Sequence, residues 1–186
     1  MKPIVLFSTK WLHLLQRGRW TFGSRRLPDA PSAIDAVNII AWHIGEAGQT
    51  RLVVIEEFRV SIDRWEFALP AGLVDANEEL GATAARELVE ETGLTATAVR
   101  SISGPLYSSA GLTDESTAIV TVSCQGPVSD RPGVEGEQIR VHLLDRAGCE
   151  RLLRQHAEGA AAMSVKLWPV LASVAATGGF CGQSLD

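Results

Sequence analysis

Hydrophobic positions fall into two kinds of run along this chain. "IDAVNIIAWHI" (residues 34–44) and "TRLVVIEEFRV" (50–60) are almost continuously apolar and β-branched, and the polar "GEAGQ" divides them. That pattern predicts two sheet strands with a turn between them. "WEFALPAGL" (65–73) reads as a short strand entering a Pro-Gly loop. "TATAVRSISGPLY" and "STAIVTVSC" supply further strands around a Gly-containing loop at 109–115. A polar loop follows at 126–137, then the strand "QIRVHLL". "DRAGCERLLRQHAEG" and "AMSVKLWPVLASVAA" read as two closing helices, with Pro169 near the first turn of the second or kinking it. Near the start, "KWLHLLQRGRWTFGSRR" predicts a β-hairpin turning at Arg17-Gly18-Arg19, and the Pro-rich "LPDAPSA" separates it from the rest. Strands interspersed with helices predict an α/β layered domain.

A helical period takes over from about Glu79 to Thr92 and stops at Gly93, the usual C′ residue. At 100° per residue, Glu87, Glu90 and Glu91 fall within an arc of about 100° near the carboxyl end. Ala82, Ala85, Leu88 and Val89 lie opposite and are expected to pack on a sheet. Like charges at this spacing cost roughly 0.2–0.5 kcal/mol per pair, and the helix dipole disfavours anions at that end. Arg86 is placed at i,i+4 to hold Glu90. A solvated acidic face is the ordinary reading of such a run. A bound divalent cation removes both penalties, however, and oxygen-only ligands select Mg²⁺, Mn²⁺ or Ca²⁺ over zinc.

Composition narrows the partners. The 186 residues carry a net charge of -5, with no basic footprint for nucleic acid. A polyanionic substrate would therefore need local cations. Cys124, Cys149 and Cys181 are odd in number and lack a CxxC, so a reduced, cytoplasmic setting is expected. The four histidines show no ligand spacing, and neither a signal peptide nor a membrane span is evident. The expected organisation is an arm over 1–33, one domain over 34–176 and a tail over 177–186.

The carboxylate helix carries a resemblance. Gly72, five residues, Glu78, seven residues, then Arg86-Glu87-Leu88-Val89-Glu90-Glu91-Thr92-Gly93-Leu94 matches the Nudix box at every defined position. Resemblance to the Nudix hydrolases implies an α/β/α sandwich with a mixed β-sheet. It also implies Mg²⁺ binding (Mn²⁺ as a substitute) and hydrolysis of a nucleoside diphosphate linked to another moiety. The flanks resemble the ADP-ribose and nucleoside diphosphate sugar pyrophosphatases within that superfamily. "VVIEEFR", "LPAG", "SSAGLTDE" at 108–115, "EGEQIRVHLL" and "EGAAAMSVKLWPVLASV" carry this likeness. Ala110 departs from it where a proline is expected, and Ala68 where many members carry a glutamate; Glu66 is close but out of register. Nucleoside triphosphate or dinucleoside polyphosphate hydrolysis, isopentenyl isomerisation and catalytically dead ligand sensing are the competing chemistries. The intact box speaks against the last, and the Arg59 and loop matches speak against the isomerase.

The resemblance implies roles for individual residues. Glu87, Glu90 and Glu91 would hold the metal with the backbone carbonyl of Ala71, and Glu78 would support them from the loop. As a helix N-terminal anion, Glu78 has an equally good plain reading. Arg86 would orient a carboxylate, and Glu135 or Glu137 would act on the water, with Glu135 favoured. Arg59 would contact substrate phosphate, Gly111 would lie in the substrate loop, and Arg25 would sit near the terminal ribose or base. Trp11 and Trp20 would sandwich the adenine, although strand tryptophans more often pack in a core. An arm reaching across a homodimer completes the expectation, with a nucleotide sugar as the small-molecule partner.

Overall fold

The computed structural model describes residues 1–30, 33–129 and 138–177. Its first segment is a three-stranded antiparallel sheet: β1 (Ile4–Ser8), β2 (His13–Arg17) and β3 (Trp20–Ser24). The expected hairpin is β2–β3, with Gly18 at φ 60° in its turn. The strand β1 was not expected. All five of its residues are exposed, so no inside–outside alternation marks it.

The remaining described strands form one mixed sheet: β4 (Ala36–Ile44), β5 (Thr50–Arg59), β6 (Arg64–Ala68), β7 (Ala71–Leu73), β8 (Thr95–Ile102), β9 (Leu106–Tyr107), β10 (Ser116–Gln125), β11 (Ile139–Leu144) and β12 (Ala162–Met163). The main order is β12-β6-β5-β4-β10-β8, with β11 on β5, β7 on β4 and β9 on β10. Pairing is parallel for β4–β10 and β6–β12 and antiparallel elsewhere. The helices are α1 (Leu80–Thr92), α2 (Arg146–Ala157) and α3 (Leu167–Thr177).

Parity along the central strands explains their unbroken apolar runs. Ile40, Trp42, Leu52 and Val54 point to a core with Cys149 and Leu152 of α2 and Leu167, Val170, Leu171 and Val174 of α3. Val37, Ile39, Ala41 and Val53 point the other way, to Ala84 and Leu88 of α1. Because helices cover both faces of the sheet, both parities must be hydrophobic. The layers are therefore α/β/α.

Two expectations need correction here. The segment "AMSV" is not the start of the last helix. Ala162 and Met163 pair with Glu66 and Phe67 as β12, and α3 begins only at Leu167. Pro169 is then the third helical residue, where a missing N–H breaks no intrahelical bond. The packed face of α1 is also rotated. Thr83, Ala84, Leu88 and Glu91 are buried, whereas Ala82 and Val89 are exposed. A hydrogen bond compensates the buried Glu91 carboxylate, as set out below, so burial follows that bond rather than hydrophobicity alone.

The arm is fastened to the loop before β10. Gly23 N–H donates to Leu112 O at 2.8 Å, Asp114 N–H donates to Gly23 O at 3.3 Å, and Ser24 Oγ donates to Asp114 Oδ2 at 3.1 Å. Among the described residues, no helix is long and apolar enough to cross a membrane.

Candidate active site

Glycine at position 72 sets one end of the site. It lies in β7, opposite Val37 of β4, and α1 passes directly over it. A Cβ at this position would fall 1.9 Å from Glu87 Cδ, so the Glu87 carboxylate occupies space that a side chain at 72 would fill. Helix α1 ends at Gly93, whose left-handed φ of 75° lets its N–H reach Val89 O.

One guanidinium organises the acids. Arg86 donates to Glu78 Oε1 at 3.0 Å and Oε2 at 2.9 Å, to Glu87 Oε1 at 2.7 Å, to Glu90 Oε2 at 3.2 Å and to Leu73 O at 3.1 Å. The planar fork suits this task, and a lysine could not reproduce it. The bond from Arg86, helped by Thr83 Oγ1, lowers the Glu78 carboxyl to about 2. Glu78 in turn does most to raise the Arg86 pKa. Glu91 is 8% exposed and accepts the Ala71 N–H at 3.0 Å.

Glu87, Glu90 and Glu91 line a cavity of about 770 Å³ together with Ala71 and Gly72. Its wall also includes Arg25, Arg59, Glu66, Glu115, Ser164 and Lys166. Arg25 donates to Glu115 Oε1 at 2.6 Å, and Ser108 Oγ donates to Oε2 at 3.0 Å. Burial opposes ionisation of Glu115, but the Arg25 bond and charge outweigh it and leave the carboxyl below its ordinary value. Arg59 pairs with Glu57 at 2.9 Å and approaches Glu66 at 3.6 Å. Glu66 and Ala68 both face the cavity, since residues two apart on a strand share a face.

The expected residues thus divide. Ala71, Glu87, Glu90, Glu91, Arg25 and Arg59 come together on one cavity. Glu78 and Arg86 stand behind that wall. Trp11 and Trp20 are 65% and 66% exposed and lie off the cavity of their own chain, as does Gly111. Glu135 and Glu137 lie outside the described residues. Sequence reasoning passed over Lys166 and gave Glu115 no role. Glu115 ends the quoted "SSAGLTDE", and Lys166 stands within the quoted C-terminal segment, but neither shows its contacts locally.

The family model of the NUDIX domain matches residues 35–164, from the start of the central sheet to the loop after β12. The chain belongs to the Nudix hydrolase family. A Caenorhabditis elegans protein named as a nudix hydrolase is 32% identical over 131 residues, covering 66% of this chain and 58% of its own length. The ADP-ribose pyrophosphatase of Bacillus subtilis is 38% identical over 65 residues, 35% of each chain. This Nudix chain therefore spans less than two thirds of either relative. A crystal structure of an ADP compounds hydrolase shares the fold at a TM-score of 0.53 and 21% identity, covering 83% of this chain and 84% of that one.

Nudix proteins in general use divalent metals. The donor set here fits such an ion, being oxygen-only and cradled by a glycine with no room for a side chain. Among the described residues, no three acidic, histidine or cysteine side chains stand close enough together to hold a metal ion between them. Mg²⁺ accepts such openness, because it keeps several waters and shares its shell with substrate phosphates.

Proposed function

We propose that this Nudix protein hydrolyses the diphosphate bond of ADP-ribose, or of a close nucleoside diphosphate sugar, using Mg²⁺ or Mn²⁺. Water attacks one phosphorus, the bridging P–O bond breaks, and a nucleoside monophosphate and a sugar phosphate leave. The observation that carries the reading is one cavity with carboxylates at Glu87, Glu90 and Glu91 and cations at Arg25 and Arg59. Relatives named ADP-ribose pyrophosphatase in Bacillus subtilis and Saccharomyces cerevisiae support the choice of substrate class.

Glu87, Glu90 and Glu91 would hold the cation, joined by the Ala71 carbonyl. When bound, it neutralises charge that builds on the phosphate oxygens. Arg86 keeps Glu87 and Glu90 in register through its fork, and Glu78 fixes Arg86 from behind. Arg59, steadied by Glu57 and Glu66, faces the diphosphate. Arg25 brings the arm to the cavity edge, and the apolar arm strands make a two-fold dimer with a second copy. A turnover screen of diphosphate sugars, dinucleotides and nucleoside triphosphates with Mg²⁺ tests the reading. A triphosphate that outperforms every diphosphate sugar in kcat/KM would overturn the substrate class.

A further inference from the structure

Three cations reach the cavity wall, and their commitments differ. Arg25 is matched by Glu115 at 2.6 Å, and Arg59 by Glu57 at 2.9 Å and Glu66 at 3.6 Å. Lys166 closes no ion pair and no side-chain hydrogen bond among the described residues; its only recorded bond is backbone N–H to Ser164 Oγ at 3.4 Å. Glu115 and Glu66 attract its ammonium through space, but neither is close enough to pair with it. Lys166 also borders a smaller cavity of about 320 Å³, whose wall of apolar and hydroxyl side chains includes no anion.

A lysine kept for its apolar stem normally lets the ammonium reach water. Lys166 sits half-buried at the junction of β12 and α3, on the wall of the cavity. Burial pulls its pKa below the ordinary lysine value, with Arg59 and Arg25 adding repulsion and Glu115 opposing. An unmatched, partly desolvated charge in a concave site costs free energy, and an incoming anion relieves that cost.

We propose that Lys166 is a substrate-binding residue whose ammonium takes a phosphate oxyanion of the diphosphate, a role that rests on the hydrolase reading above. Arg25 and Arg59 already share their charge with carboxylate partners, whereas Lys166 brings an ammonium committed to none. Its contribution is therefore to affinity, since it pairs with charge already present in the ground state.

The test titrates inorganic pyrophosphate, in EDTA, into the wild type, Lys166→Met and Lys166→Arg by calorimetry. Loss of a charge-assisted hydrogen bond predicts roughly tenfold or greater weakening in Lys166→Met. Lys166→Arg keeps the charge and should stay within about threefold of the wild type. Melting temperatures of all three should agree within about 2–4 °C, which a packing role for Lys166 would not allow. Unchanged pyrophosphate affinity in folded Lys166→Met, or a wild type that binds no pyrophosphate, overturns the proposal. Failure of the hydrolase reading looks different: no diphosphate sugar is turned over with Mg²⁺, whatever the titration gives.

Discussion

Gly72→Ala is the smallest change that reaches the carboxylate end of the cavity. The new methyl carbon would sit 1.9 Å from Glu87 Cδ and 2.0 Å from Oε1, where ordinary contact is 3.4–4 Å. Subtracting 1.9 from 3.4 gives a retreat of about 1.5 Å as the least the carboxylate must make. The clash is with the far end of a flexible side chain, so the backbone can stay in place. Gly72 lies in a strand without a left-handed φ, and replacing glycine there recovers about 0.5–1 kcal/mol of chain entropy. Against this stands the 2.7 Å pair between Glu87 and a 31% exposed Arg86, worth up to about 1 kcal/mol. These nearly cancel, and the melting temperature should move by no more than about 2–4 °C. Catalysis is less forgiving, since a misplacement of about 1 Å at a reacting centre costs on the order of a hundredfold. The assay is kcat/KM with Mg²⁺ beside a thermal melt. A folded variant within about threefold of wild-type kcat/KM refutes the role given to the Glu87 carboxylate. A melt lowered far beyond that range refutes the claim that only a side chain moves.

Other changes probe the remaining walls. Glu91→Gln keeps an acceptor for the Ala71 N–H, so the fold should survive while kcat falls by about a hundredfold or more; near-normal turnover with Mg²⁺ would sink the assignment. Arg25→Ala should cost up to about 1 kcal/mol near neutral pH, because its partner Glu115 has a folded pKa below the ordinary 4.5. A depressed carboxylate stabilises fully above its unfolded pKa and loses that contribution as pH falls through the folded value. The stability gap between wild type and Arg25→Ala, read from urea melts, should therefore narrow on acidification from about pH 6 to about pH 3; a constant or widening gap contradicts the sign. The arm exposes Ile4, Phe7, Trp11 and Trp20 by more than half their surface, too apolar a sheet to remain bare, so light scattering at micromolar concentration should give the mass of a dimer.

The carboxylate helix was legible in the sequence because its information is local. Helical spacing brought Glu87, Glu90 and Glu91 together, and Arg86 reached Glu90 at i,i+4, as the 3.2 Å pair shows. The bond from Arg86 to Glu78 spans eight residues and depends on how the loop closes, which no helical period encodes. Strands β4 and β5 were evident from apolar runs buried on both faces, whereas β1, exposed throughout, gave no pattern to read. Lys166 was hidden for a different reason. It lies between β12 and α3, and only the tertiary fold brings it to the cavity wall that Arg25, just beyond β3, and Arg59, at the end of β5, also reach. Trp11 and Trp20 lie off the cavity of their own chain, so a role as a base clamp would rest on the arm reaching a second copy.

The strand β6 works like a ruler graduated in steps of two. A carboxylate moved from position 68 to 66 still looks into the cavity, while one at 67 would take the place of Phe67, which packs against the ring of His142. Comparing the chain letter by letter scores Ala68 as an acid lost. In space, Glu66 stands one pleat away on the same wall, 3.6 Å from Arg59. A carboxylate at either position can therefore serve one cavity wall without any change to the box, the sheet or either core.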